Sequence, residues 1–188
     1  MNWQTELNNS FSWLMSALVF LLVGLSIALS FLRKTKFGKQ FWRVAQPAWA
    51  ASHKGKTLGL IILLLLFVLL EVRISVLNTY FYNGLYKSLQ DKAVNAFWFF
   101  AGINALLVLV KITHSIVNYL ITQAFEIKWL EKLNAEMLNR WLDHKNYYML
   151  RYQKDLPDNI DQRIEQDASA FISGTVSAVK GVLNAIVA

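Results

Sequence analysis

The chain has no cysteine and two prolines in 188 residues. Without cysteine there is no disulfide framework and no thiolate-ligated zinc. Three scattered histidines, His53, His114 and His144, do not supply the spacing of a histidine metal centre, so no metal is expected. Charge is scarce as well. Asp, Glu, Lys and Arg make up 16 % of the residues, against about 25 % in soluble domains. Acids are the rarer sign, 12 against 19 Lys and Arg, which leaves a net charge of +7. A nucleic-acid reader needs its cations on a solvated face, and this chain has little polar surface for one, so no nucleic-acid partner is expected. What fills the space is apolar: 55 % of residues, with a mean hydropathy of +0.34. This composition argues for an all-α integral membrane fold rather than a soluble domain.

Phe11 to Leu32 is a run of 22 residues without a charge, long enough to cross a hydrocarbon layer of about 30 Å. The first ten residues carry no Lys or Arg, so the basic n-region of a signal peptide is missing and the run reads as a retained span. Thr57 to Leu70 is a second run, and its helical pattern continues through Glu71 and Arg73 to about residue 86. Ala93 to Val110 is a third, extended past Lys111 to Phe125, and Ala168 to Ala188 is a fourth with Lys180 as its only charge. An apolar helix at the C-terminus makes the chain read as the front part of a longer one.

The cations outside the spans alternate. Residues 1–10 have none, 33–56 have seven (Arg33, Lys34, Lys36, Lys39, Arg43, Lys54 and Lys56) with no acid between them, the 83–93 connection has Lys87 and Lys92, and 126–165 again have seven. Positive charge stays on the cytoplasmic side. The N-terminus and residues 83–93 are therefore expected outside, and 33–56 and 126–165 inside. Phe37, Phe41, Trp42, Val44 and Trp49 are interleaved with Lys36, Lys39 and Arg43, which suits either a helix lying in the interface and broken at Pro47 or a solvated basic loop that sets topology.

From Glu126 to Met149 the apolar residues Ile127, Leu130, Leu133, Met137, Leu138 and Trp141 recur at three and four, opposite Lys128, Glu131, Lys132, Asn139, Arg140 and Asp143. No Pro or Gly interrupts residues 103–155, so one helix is expected from about 94 to 148. At about 80 Å it is far longer than a bilayer, and roughly half of it must project. Pro157 then breaks the chain. Asn159 with Gln162 can cap a new helix, on which Arg163 and Asp167 are spaced to pair. The reading is a descent on one helix, a turn held away from the membrane, and a climb on another.

These residues carry a resemblance. Leu138-Asn139-Arg140-Trp141, Asn146-Tyr147-Tyr148 and Asn159-Ile160-Asp161-Gln162-Arg163-Ile164-Glu165-Gln166-Asp167 are similar to the Asn-Pro-Asp-Gln-Arg-Ile-x-x-Asp signature of one group of ABC exporter-type transmembrane domains. That group comprises YddA-type bacterial half-transporters, SbmA/BacA peptide importers and class D peroxisomal acyl transporters. Ile160 departs from the signature's Pro. Leu77-Asn78, Phe81-Tyr82 and Leu89-Gln90 resemble a second block of the group, and Phe41-Trp42, Pro47 and Trp49 resemble its pre-span elbow. Together the blocks cover about residues 40 to 185.

The resemblance implies a homodimer. It also implies that Pro157, Asp158, Asn159, Asp161, Gln162, Arg163 and Asp167 form a coupling turn, at about 155–165, against a nucleotide-binding domain of the same full-length chain. ATP and Mg2+ would bind in that domain. The phosphate loop G-x-x-x-x-G-K-[ST] does not occur here; Gly174 and Gly181 have no following Lys. No cofactor and no catalytic residue are therefore expected in this segment. The division expected is 1–32 as head and extra N-terminal span, 33–56 as basic loop with the elbow, and 57–188 as the first part of a transmembrane domain with spans at about 57–82, 94–125 and 168–188.

Polar residues inside spans are costly and mark candidate sites. Glu71, Ser75, Asn78 and Tyr82 fall on one helical stripe, with Arg73 about 200° around from Glu71 at 100° per residue. Asn104, Lys111, His114 and Asn118 form a second stripe. Glu71, Asn78, Tyr82, Lys111, His114 and Asn118 are the candidates for lining a translocation path. The SbmA/BacA resemblance of Glu71-Val72 implies a proton or substrate contact at Glu71. The alternatives are polar glue between helices and snorkelling of Arg73 and Lys111 to headgroups. Arg163 and Asp167 can equally be an ordinary surface pair.

The leading function is an ATP-driven, homodimeric half-transporter of a bacterial inner membrane, moving a peptide-like or amphipathic solute across the lipid bilayer. The Pro-Asp-Asn-x-Asp-Gln-Arg-Ile run favours it over a proton-driven SbmA/BacA-type importer. A membrane anchor or signalling module with a helical stalk is the reading from a different class, and the turn and return span speak against it.

Overall fold

The computed structural model describes residues 3–46, 54–143 and 160–187. Among these residues the regular structure is helical throughout. The elements are α1 (Trp3–Asn8), α2 (Ser10–Leu32), α3 (Lys36–Ala45), α4 (Lys54–Gln90), α5 (Val94–Leu142) and α6 (Ile160–Val187). Four helices are long and apolar enough to cross a membrane: α2, α4, α5 and α6.

α2, at 23 residues, rises about 35 Å. α3 starts where Thr35, in extended conformation, accepts a hydrogen bond from the Gly38 amide at 3.0 Å, the N-cap arrangement that satisfies an otherwise unpaired donor. Gly38 has no alternative at this turn, because a Cβ there would lie 1.7 Å from the Leu32 carbonyl oxygen. α3 ends at Ala45, capped by Gln46 directly before Pro47, which cannot continue a helix.

α4 extends to Gln90, past the expected end near 86. It stops at Lys92, whose backbone turns left-handed with φ 52°. The Lys92 amide donates to the Leu89 carbonyl at 3.2 Å and the Ala93 amide to the Ser88 carbonyl at 2.9 Å, a Schellman closure. The connection from α4 to α5 is thus three residues rather than a loop, and Lys87 belongs to the helix. α5 is one helix of 49 residues, about 74 Å. The expected continuation from 144 to 148 lies outside the described residues.

The helices contribute to two compact units, Met1–Ile27 with Ile61–Ile121 and Val182–Ala188, and Ala28–Leu60 with Thr122–Gly181. The core of the first is aliphatic. Leu21, Leu65, Val68, Leu69 and Leu183 are buried, packed by Trp13, Leu14, Ala17, Leu18 and Val187 among others. Most remaining apolar side chains of its part of α5, such as Leu106, Leu109, Ile112 and Ile116, are exposed, as suits a surface that faces lipid or further helices. The core of the second unit is aromatic. Trp129, Leu133, Ala168, Ile172 and Val176 are buried with Ala45, and Phe41, Phe125 and Phe171 pack on them. Here the expected stripe holds at Leu130, Leu133 and Met137, which belong to or pack on this core, and differs at its edges. Trp129 is buried, whereas Ile127 is 61 % exposed and Leu138 is exposed as well. The partners on α3 and α6 meet the 125–129–133 face, and three-and-four spacing alone does not choose among neighbouring stripes.

Candidate functional site

In the first unit the faces of α4 divide by chemistry. Leu65, Val68 and Leu69 form the core with α2 and the end of α6. A second face, Phe67, Leu70 and Ile74, lines an apolar cleft of about 460 Å³ with Leu109, Val110, Thr113, His114 and Val117 of α5. The His114 ring stacks on Phe67 at 5.0 Å, and its Nε2 lies 3.0 Å from the Phe67 carbonyl oxygen. A carbonyl only accepts, so Nε2 carries the proton and donates.

A third face holds the polar residues. Glu71, Val72, Ser75, Val76 and Thr79 line a cleft of about 320 Å³ with Asn184 of α6. Thr79 Oγ1 donates to the Ser75 carbonyl at 3.1 Å. Asn184 Oδ1 is buried with no hydrogen-bond partner. The residues lining this cleft thus include a carboxylate, two hydroxyl side chains and an amide, a set rich in acceptors.

The fourth direction holds Arg73. Its side chain is 7 % exposed and pairs with Glu6 of α1, Nη2 to Oε2 at 3.0 Å. Nη2 also donates to the Glu6 backbone carbonyl, and Nε donates to Ser10 Oγ at 3.0 Å. The guanidinium sits 5.5 Å from the centre of the Trp13 ring. Arg73 does not snorkel. It is a buried cation whose counter-ion comes from the head of the chain. Sequence reasoning missed this pair, although the signal was there: Glu6 is the only charge in residues 1–32, and Arg73 is the only cation in 57–86. Thr79 and Asn184 were also missed, because the cleft is set by α6 and not by α4 alone.

The remaining candidates spread out. Asn78 is half-buried and Tyr82 exposed, the latter with its ring 6.2 Å from that of Tyr86; neither lines the Glu71 cleft. Lys111 is exposed and Asn118 half-buried, and neither joins His114 at its cleft. Asn104 donates from Nδ2 to the Phe100 carbonyl at 3.0 Å. Of the coupling-turn residues, Pro157, Asp158 and Asn159 lie outside the described residues. Asp161, Gln162, Arg163 and Asp167 belong to the first turns of α6, where the side chains of Gln162 and Asp167 are exposed. Among the described residues no group of three metal-ligating side chains occurs.

Four candidate spans, long helices beyond the bilayer's thickness and a polar cleft along α4 describe a polytopic membrane domain. Residues 48–188 match the family described as ABC transporter transmembrane region 2, and the chain belongs to this family as a multi-pass membrane protein. An uncharacterized ABC transporter ATP-binding protein of Haemophilus influenzae is 50 % identical over 186 residues, covering 99 % of this chain and 32 % of the relative. A second such protein of the same organism is 33 % identical over 187 residues, again 99 % and 32 %. The inner membrane ABC transporter ATP-binding protein YddA of Escherichia coli is 29 % identical over 147 residues, 75 % of this chain and 26 % of YddA. The chain thus spans about a third of the length of these relatives. The family match begins at residue 48, yet both Haemophilus relatives align over 99 % of the chain, so the α1–α2 head is matched there too.

Proposed function

We propose that this chain is the N-terminal transmembrane part of an ATP-driven, homodimeric ABC half-transporter that moves a peptide-like or amphipathic solute across the bacterial inner membrane. The observation that carries the reading is α5. A single helix of 49 residues, more than twice a bilayer in length, keeps a buried core at its far part, where Trp129 and Leu133 pack with α6 and α3. A helix of that length supports a turn near 155–165 held away from the lipid, where a nucleotide-binding domain would dock. The relatives' descriptions as ATP-binding proteins support ATP as the energy source; it would bind, with Mg2+, outside this segment. Seven cations in 33–56 support a cytoplasmic location for that loop and an external N-terminus. Solute would pass along the polar face of α4, with Glu71 as the contact residue.

Reconstituted full-length protein is expected to hydrolyse ATP, and to lose solute-stimulated but not basal hydrolysis when Glu71 is replaced by Gln. Absence of any ATP hydrolysis overturns the reading. The proton-driven alternative is favoured by one observation, a carboxylate facing a cleft inside a span. It requires uptake driven by a pH gradient without nucleotide.

A further inference from the structure

The second unit holds a cleft of opposite chemistry to that at Glu71. Its lining is Thr57 and Leu60 of α4 with Phe125, Lys128, Trp129 and Lys132 of α5. No carboxylate is among them. Trp129 is 8 % exposed, its ring held edge-on between Phe125 at 5.7 Å and Phe171 at 6.1 Å. Its Nε1 is buried and has no hydrogen-bond partner. An indole nitrogen can only donate, and a buried donor left unpaired is costly, so the site calls for an acceptor. Lys128 and Lys132, one helical turn apart on α5, add positive charge. Thr57 sits in the first turn of α4, the positive end of that helix.

The place along the helices identifies the ligand. On α4 the sequence changes from Lys54-Gly55-Lys56 to an apolar run at Thr57, and on α5 the apolar run ends at Phe125 before Glu126 and Lys128. Both changes fall at this cleft, so it lies where hydrocarbon meets water. Leu58, beside Thr57, is exposed and offers an apolar flank. The enclosed space is about 20 Å³, room for one oxygen-sized group and too little for a solute. The geometry points to a binding site for the phosphodiester of an anionic lipid, one phosphate oxygen accepting from Trp129 Nε1 and the rest of the headgroup at the mouth beside Lys128 and Lys132. Basic pockets at the membrane face are suited to such headgroups.

The test uses the full-length protein in mixed lipid, with native mass spectrometry counting retained phosphatidylglycerol and phosphatidylcholine of equal chain length. Phosphatidylglycerol is expected to be retained preferentially. Lys128→Gln and Lys132→Gln each weaken its retention about fivefold. Trp129→Phe, which keeps the ring and removes the donor, weakens it about tenfold. Lys36→Gln and Lys39→Gln, each an equal loss of charge on α3, leave it unchanged. Equal retention of the two lipids overturns the site. So does displacement by millimolar inorganic phosphate, which would mark a free-anion site, or an unaltered preference in Trp129→Phe, which would reduce the effect to diffuse positive charge. Lys128 and Lys132 lie outside the packed core, so their variants report on the lipid even if Trp129→Phe folds poorly.

Discussion

Arg73 in one unit and Trp129 in the other are both deeply buried polar side chains, and they are accommodated in opposite ways. The Arg73 guanidinium meets Glu6, Ser10 and the face of Trp13, all from an earlier part of the same chain. Trp129 is packed by rings and leaves its N–H without an acceptor. The surrounding cores differ in the same sense, aliphatic around Leu69 and aromatic around Trp129. A full charge set among lipid-facing helices must carry its counter-ion with it, because nothing outside will supply one. A neutral donor near the water boundary can be left for an external group.

The comparison can be broken by substitution, with stability read as thermal or denaturant unfolding of the full-length protein in nanodiscs. The largest effect is expected at Leu133→Ala, about 3 kcal/mol, because a core that excludes water loses both transfer energy and packing. Leu69→Ala should cost about half as much, since lipid is as apolar as the leucine it replaces and only packing is lost. Equal losses at the two positions would show that both cores exclude water alike. Glu6→Ala leaves Arg73 without its counter-ion and should cost about 2–3 kcal/mol; the exchanged pair Glu6→Arg with Arg73→Glu should recover part of it. The two glycines that face close neighbours separate next. Gly38→Ala drives a Cβ against the Leu32 backbone carbonyl and should cost about 2 kcal/mol. Gly84→Ala meets only the far edge of the Phe100 ring, which can swing, and should cost less than about 1 kcal/mol. Arg140→Ala should change stability least, by about 0.4 kcal/mol, because its pair with Glu136 at 2.8 Å is exposed.

Much of the helical layout was legible in the residues. The uncharged run at 11–32, the long uninterrupted pattern after 94 and the break at Pro47 each follow from local rules, and α2, α5 and α3 fall there. Where the chain stops being helical was harder. Lys92 ends α4 in a left-handed turn, a place where glycine is the usual signal, so nothing in the sequence marked it. The site was legible only as far as one helix can show. Glu71 and Ser75 were on a shared stripe, but which neighbouring position completes the cleft, Thr79 rather than Asn78, depends on where α6 brings Asn184. The Arg73–Glu6 pair spans 67 residues and no periodicity reaches that far, although a ledger of isolated charges does. The α5 stripe held at Leu130, Leu133 and Met137 but missed Trp129 for the same reason. Trp129 is selected by Phe171 across the gap, and the pattern within α5 is silent about its partner.

The head of the chain also bears on the order in which a membrane protein is made. Glu6 and Ser10 leave the ribosome more than sixty residues ahead of Arg73. When the helix bearing the cation enters the bilayer, its acceptors are already waiting beside α2. An arginine that would oppose insertion on an isolated segment thus arrives at a prepared berth, and removing the first ten residues should reduce the efficiency with which α4 is threaded as well as the stability of the finished fold.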